Sequence, residues 1–191
     1  KIFNYTIGDF DSTQFPIPLE LKLAIIDAYN NGFTTYPAAD GELELRQQVC
    51  RFMETHLGIT YSTNEILIGA GGRPLIYATY RAIADKGDKV IYPVPSWNNN
   101  HYVHFTEGNH VLIEASPENN FMPTADQLKP HIKSASLIAL CSPLSPTGTT
   151  FNKEELEAIC DLIIEENKTR GENEKKLYLM FDQIYWTLTF G

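Results

Sequence analysis

Four short stretches of this chain carry groups suited to holding one compact ligand: Gly71-Gly72-Arg73, Pro95-Ser96-Trp97, the run from Ser142 to Thr149, and Asp182-Gln183-Ile184-Tyr185. Two glycines ahead of a helical pattern leave backbone N–H groups free at a helix N-terminus, which suits an anion such as phosphate. An ordinary Gly-Gly turn fits the same letters. Trp97 offers a flat apolar face on which a ring can stack, or it is a core tryptophan. The run Ser142-Pro-Leu-Ser-Pro-Thr-Gly-Thr149 holds two prolines that restrict its backbone and a glycine that relaxes it. It is a rigid loop presenting a polar side chain, or a plain strand–helix connection. Asp182 follows an apolar run directly. It is either a helix cap or a buried carboxylate awaiting a cationic partner. Tyr185, three residues on, reaches the same ligand or packs on the surface.

These stretches all fall where a strand hands over to a helix. Apolar runs predict strands over 65–70, 89–92, 111–113, 137–141 and 177–181. Helical spacing predicts helices over 18–31, 45–57, 75–83, 97–106 and 156–164, with a short one opening at Pro123-Thr124. Asn152 stands three residues ahead of Glu155 and reads as a capped helix start. Ser62 and Glu65 have the same spacing, but the apolar residues after them read as a strand, so the cap is set aside. Strands alternating with helices predict an α/β, three-layer αβα domain with a mainly parallel sheet and helices on both faces. Such a sheet gathers the strands' C-terminal ends on one edge, where ligands bind. The four stretches then meet as a phosphate clamp, a ring platform, a polar loop and a carboxylate. That set matches the parts of pyridoxal phosphate.

Bulk properties exclude several other classes. With 191 residues, 43% hydrophobic and 20% charged, the chain is long and apolar enough for a folded core. A formal net charge of −9 favours neither nucleic acid nor an anionic membrane as a partner. No apolar run approaches the roughly 20 residues of a membrane span, and no signal peptide is visible. Cys50, Cys141 and Cys160 are odd in number and lack metal or redox spacing, which fits a reduced cytoplasmic protein. His101 and His104 stand three apart, but no carboxylate or cysteine nearby completes a metal set, so no metal is expected. The acidic run 165–174 reads as a solvated helix end.

Taken in order, the pieces resemble the class I and II aminotransferases, the fold-type I enzymes that use pyridoxal 5'-phosphate. They are Ile7-Gly8-Asp9-Phe10, Tyr36-Pro37 with Gly41 and Leu45-Arg46, Glu65 to Gly72, Lys86 to Val90, Pro95-Ser96-Trp97, Ser142 to Gly148, and Asp182 to Tyr185. The resemblance implies roles. Ala70, Gly71, Gly72 and Arg73 bind the phosphate. Trp97 stacks on the pyridine ring, and Ser145, helped by Tyr185, holds the phenolic oxygen. Asp182 pairs with the protonated ring nitrogen, which makes the ring an electron sink, so it is also the catalytic residue here. Gly8 passes near the substrate carboxylate, and Tyr36 reaches the phosphate of a neighbouring subunit in a homodimer. Asn100 or His101 stands behind the Asp182 carboxylate. The implied substrates are an amino acid and a 2-oxo acid.

Two departures from the family matter. Ser145 stands where the family usually has asparagine; its hydroxyl still donates but is shorter. The family's Schiff-base lysine and its two anion-binding arginines follow later in sequence than Gly191, and Lys175 and Lys176 precede the Asp182 strand. The expected organisation is therefore an N-terminal segment and first helix over 1–40 and a cofactor-binding large domain over 41–191 that lacks its C-terminal half. Such a piece is expected to be inactive alone. The parts present serve the cofactor rather than the choice of bond broken. A lyase or decarboxylase of the same fold, and a non-catalytic cofactor-binding relative, stay open beside amino-group transfer.

Overall fold

Apolar runs bounded by Gly, Pro and Asp form four strands: β1 Lys89–Val94, β2 Asn109–Glu114, β3 Ala135–Cys141 and β4 Tyr178–Asp182. The computed structural model describes residues 9–188, so Gly8 lies outside the described residues. The strands lie in the order β2-β1-β3-β4, and every neighbouring pair is parallel. Parallel pairing needs crossovers. They are supplied by α4 (Asn99–Phe105), α5 (Ala125–Leu128) and α6 (Lys153–Thr169), with α3 (Gly72–Ile83) ahead of β1.

Successive strand residues point to opposite faces, and both faces are apolar. Ile91, Ile113, Ile138 and Leu140 pack with Leu128 of α5 and with Ile159 and Ile163 of α6. Val90, Tyr92, Leu137 and Ala139 pack with Tyr80 of α3 and with Tyr102 and Val103 of α4. The result is the expected three-layer αβα arrangement. α6 starts as its sequence predicts: the Asn152 side chain accepts from the Glu155 N–H at 2.8 Å, and the Glu155 carboxylate accepts from the Asn152 N–H at 3.1 Å.

Contacts divide the chain into two compact units, residues 1–68 and 69–191. In the first, α1 (Leu19–Asn30) has no buried residue, and α2 (Leu43–Leu57) buries Arg46. Arg46 pairs with Asp40 at 2.8 Å and donates to the carbonyls of Gly41 and Thr63, so one guanidinium ties a turn, a helix and a following segment together. Gly41 is obligatory there. Its φ is +96°, and a Cβ on it would sit 2.5 Å from Ile68 Cβ.

Two expectations are corrected in this region. Residues 65–70 form no strand: Ile66 is extended (φ −109°, ψ 127°) and Ile68 N–H donates to the Asp40 carbonyl, but no strand among the described residues pairs with the segment. The Ser62–Glu65 cap that was set aside is real. Glu65 accepts from the Ser62 N–H at 2.8 Å and closes a single 3₁₀ turn, Thr63–Glu65. A capping box needs only one turn, so it coexists with the extended chain that follows.

The N-terminal edge of the sheet in the second unit is held by charge. Arg170, almost buried, bonds Glu166 at 2.9 Å and donates to the carbonyls of Ile132 and Lys175. Lys175 pairs with Asp85 and Asp88, and Lys176 donates to the carbonyls of Asn167 and Arg170. Removing Arg170 strands a buried carboxylate and two carbonyls. Arg170→Met is expected to lower stability by about 3 kcal/mol. Lys168→Met, which breaks the exposed Glu165 pair, should cost under about 1 kcal/mol. Urea unfolding of both variants against the parent chain checks the contrast.

Candidate active site

β1, β3 and β4 end on one edge, and a cavity there is lined by Trp97, Asn99, Cys141, Ser145, Asp182 and Tyr185. Ile76 of α3, Tyr102 of α4 and Met180 of β4 line it too, so it lies on the α3/α4 side of the sheet. Asp182 reaches that side by strand alternation. Leu179 and Phe181 pack with α6, whereas Met180 and Asp182 point the other way.

Asp182 is held at its backbone and at one carboxylate oxygen. Its carbonyl accepts from the Ser142 N–H at 3.0 Å, and its Oδ1 accepts from the Ile184 N–H at 3.1 Å. Among the described residues no donor reaches Oδ2, which leaves it for a ligand cation. The loop carrying Ser145 is closed on itself. Leu144, buried, donates its N–H to the Thr149 carbonyl at 2.8 Å and accepts from the Gly148 N–H at 2.7 Å. The Ser142 hydroxyl accepts from the Phe151 N–H at 3.3 Å. Ser145 is the residue straight after this buried anchor, so its hydroxyl is presented from a fixed frame.

The candidate anion cradle is built from main chain. Gly71 has φ +104°, bends the chain into α3, and provides no side-chain cap. Pro74, third in the helix, has no N–H. The N–H groups of Gly72 and Arg73 are therefore open to an anion at the positive end of a twelve-residue helix. A Cβ on either Gly71 or Gly72 would meet nothing within 4 Å, so the space beside them is open. Ala70 and Arg73 are exposed next to it. Ile76, about 6 Å further along the helix axis by its rise of 1.5 Å per residue, lines the cavity. Donors for an anion, a flat ring, two hydroxyls and a free carboxylate oxygen fit a phosphorylated ring that bears a proton.

The cavity thus brings together Trp97, Ser145, Asp182 and Tyr185. Tyr36 is fully exposed in the first unit. Asn100 and His101 are exposed on α4 and do not line the cavity; Asn99 and Tyr102 do. Among the described residues no lysine lines it, no group of three His, Cys, Asp or Glu could hold a metal, and no helix is long and apolar enough to cross a membrane.

Sequence reasoning missed Cys141, whose place as the last residue of an apolar strand was the available signal. Burial pushes its thiol up to about 11, and the Asp182 charge adds to the effect. Its Sγ donates to the Pro143 carbonyl at 3.2 Å. It is a neutral wall of the cavity and not a nucleophile at neutral pH. At pH 8 its thiolate fraction should be about a hundredfold below that of an unperturbed thiol. Iodoacetamide labelling followed by peptide mapping should therefore find Cys141 slow at pH 8, with its rate still rising towards pH 11.

The sequence pattern of the family described as aminotransferase class I and II matches residues 1–191. The chain is 32% identical over 180 residues to an aspartate aminotransferase of Bacillus sp. (strain YM-2), covering 93% of this chain and 44% of that protein. It is 33% identical over 179 residues to a probable aspartate/prephenate aminotransferase of Rickettsia felis, covering 93% and 42%. Among solved structures, the aspartate aminotransferase from Thermus thermophilus with maleate matches with a TM-score of 0.83 and 30% identity over 91% of this chain and 44% of that one. The chain spans less than half the length of these relatives. It belongs to the class I and II aminotransferases.

Proposed function

We propose that this chain supplies the cofactor-binding half of an enzyme that moves an amino group from an amino acid to a 2-oxo acid with pyridoxal 5'-phosphate. The observation that carries the proposal is the convergence of Trp97, Ser145, Asp182 and Tyr185 on one cavity at the C-terminal sheet edge, beside an uncapped helix start. Residues 41–191 are read as part of the cofactor domain. The remainder of the site, including a lysine to hold the cofactor's aldehyde carbon, comes from sequence outside these 191 residues. In support, the relatives are more than twice as long as their matched portion, and Lys175 and Lys176 are bonded at the opposite sheet edge. Gly8 and Tyr36 are assigned the substrate carboxylate and the phosphate of a second subunit, which makes the working unit a homodimer. A cytoplasmic setting is part of this reading, in keeping with an odd number of cysteines without redox spacing.

Each residue's role follows from its chemistry. The Gly72 and Arg73 N–H groups receive the phosphate dianion, where the helix dipole adds attraction. Trp97 covers one ring face and keeps water from it. Ser145 and Tyr185 donate to the phenolic oxygen. The Asp182 carboxylate would hold a proton on the ring nitrogen, which keeps the ring electron-poor. Bound pyridoxal phosphate supplies a conjugated, protonatable ring that draws electrons from the bonds of an attached amino acid. The chain's residues keep that ring protonated, oriented and dry.

In the full-length polypeptide, amino-acid consumption should require an added 2-oxo acid, with aspartate the first donor to try. Asp182→Ala should lower kcat by about two to three orders of magnitude. Carbon dioxide or ammonia released without a 2-oxo acid would instead make the enzyme a decarboxylase or lyase. The 191-residue chain alone, mixed with pyridoxal phosphate and reduced with borohydride, should keep its intact mass of 21.6 kDa. One stoichiometric adduct on a single lysine would relocate the site.

A further inference from the structure

Trp97 is 58% exposed and stands in the bend between β1 and α4, where Asn98 turns the chain at φ +59°. A half-exposed ring has little packing to orient it, and a free rotamer weakens binding by the entropy lost on docking. The bend is nevertheless tied down by one side chain. The Asn99 amide donates to Ser96 Oγ at 3.2 Å, across Trp97, and its Oδ1 accepts from the Tyr80 hydroxyl at 2.8 Å. Tyr80 is completely buried on α3, with its ring 5.4 Å from that of Tyr102. Burial holds its hydroxyl in the neutral form, so the donor persists across the working pH range. α3 is also the helix whose first turn forms the anion cradle. Gly72 and Tyr80 lie about 12 Å apart along its axis at 1.5 Å per residue.

We infer that Asn99 is a positioning residue: through Tyr80 and Ser96 it braces the Trp97 loop against α3, so that the ring platform is held at a fixed place relative to the phosphate cradle. The inference rests on the proposed cofactor site. It goes beyond that reading by assigning the platform's orientation to Asn99 and Tyr80, neither of which carries out chemistry. The brace organises the site before the ligand arrives, and its loss appears as weakened binding of the ring rather than of the phosphate.

The test is a double-mutant cycle on the full-length polypeptide, with dissociation constants for pyridoxal phosphate read by absorbance and for inorganic phosphate by competition. Asn99→Ala should raise the pyridoxal phosphate constant by about fivefold to tenfold, as expected for a lost hydrogen-bond link. In a Trp97→Ala background the same change should cost less than about twofold, because the two residues act as one unit. Tyr80→Phe keeps the buried ring and should reproduce the effect in weaker form, which guards against a misfolded Asn99 variant. The inorganic phosphate constant should not move. Equal costs with and without Trp97, or a parallel loss of inorganic phosphate binding, would overturn the brace while leaving the cofactor site standing. A wild-type protein with no saturable pyridoxal phosphate binding would overturn both.

Discussion

The pairing of Cys141 with Asp182 across β3 and β4 is the constraint on which the site depends. It places the end of β4 level with the end of β3, and the Ser142 N–H closes the ladder on the Asp182 carbonyl. Strand side chains alternate, so a slip of one residue would send the carboxylate into the apolar layer under α6 and bring Phe181 into the cavity. The slip is opposed by the two cores together. Leu179 and Phe181 are needed on one face and Met180 on the other. Apolar packing therefore sets the face on which the Asp182 carboxylate stands, and the Ile184 N–H then fixes one of its oxygens.

The two edges of the sheet divide the labour. At the N-terminal edge, Arg170, Lys175 and Lys176 are spent on carboxylates and carbonyls that join the strand starts. At the C-terminal edge, Asp182 Oδ2 and the first N–H groups of α3 have no partner among the described residues. An interior of this size cannot leave many polar groups unsatisfied. The described residues hold no buried side-chain nitrogen or oxygen without a partner.

Much of this was legible in the sequence because the fold's signals are local. The apolar runs at 89–92, 111–113 and 137–141 became strands that grew at their ends, the run at 177–181 became a strand one residue later, and the Asn152–Glu155 cap opened α6. That Trp97, Ser145, Asp182 and Tyr185 meet was legible because a parallel sheet puts its strand ends on one edge. What failed was non-local. Residues 65–70 have strand composition, yet a strand needs a ladder partner, and composition does not name one. Asn99 sits in the run Asn98-Asn99-Asn100, three identical letters of which one turns the chain, one braces it and one faces solvent. Only the helical phase set by the bend at Asn98 tells them apart. Arg46 could be noticed as part of a motif, but its role as a buried hub required the turn at Gly41 to be folded around it.

The candidate anion cradle at the start of α3 is made of peptide groups, and that has an evolutionary consequence. A side-chain donor can be deleted by a single codon change; a peptide N–H can be removed only by proline. The stretch is therefore chemically robust and conformationally fragile. Sequence drift at Ala70 or Arg73 leaves the donors in place, whereas a residue that resists φ +104° at Gly71 re-aims all of them together. Lineages descended from this chain are free to change the neighbours of the cradle long before they can change its hinge.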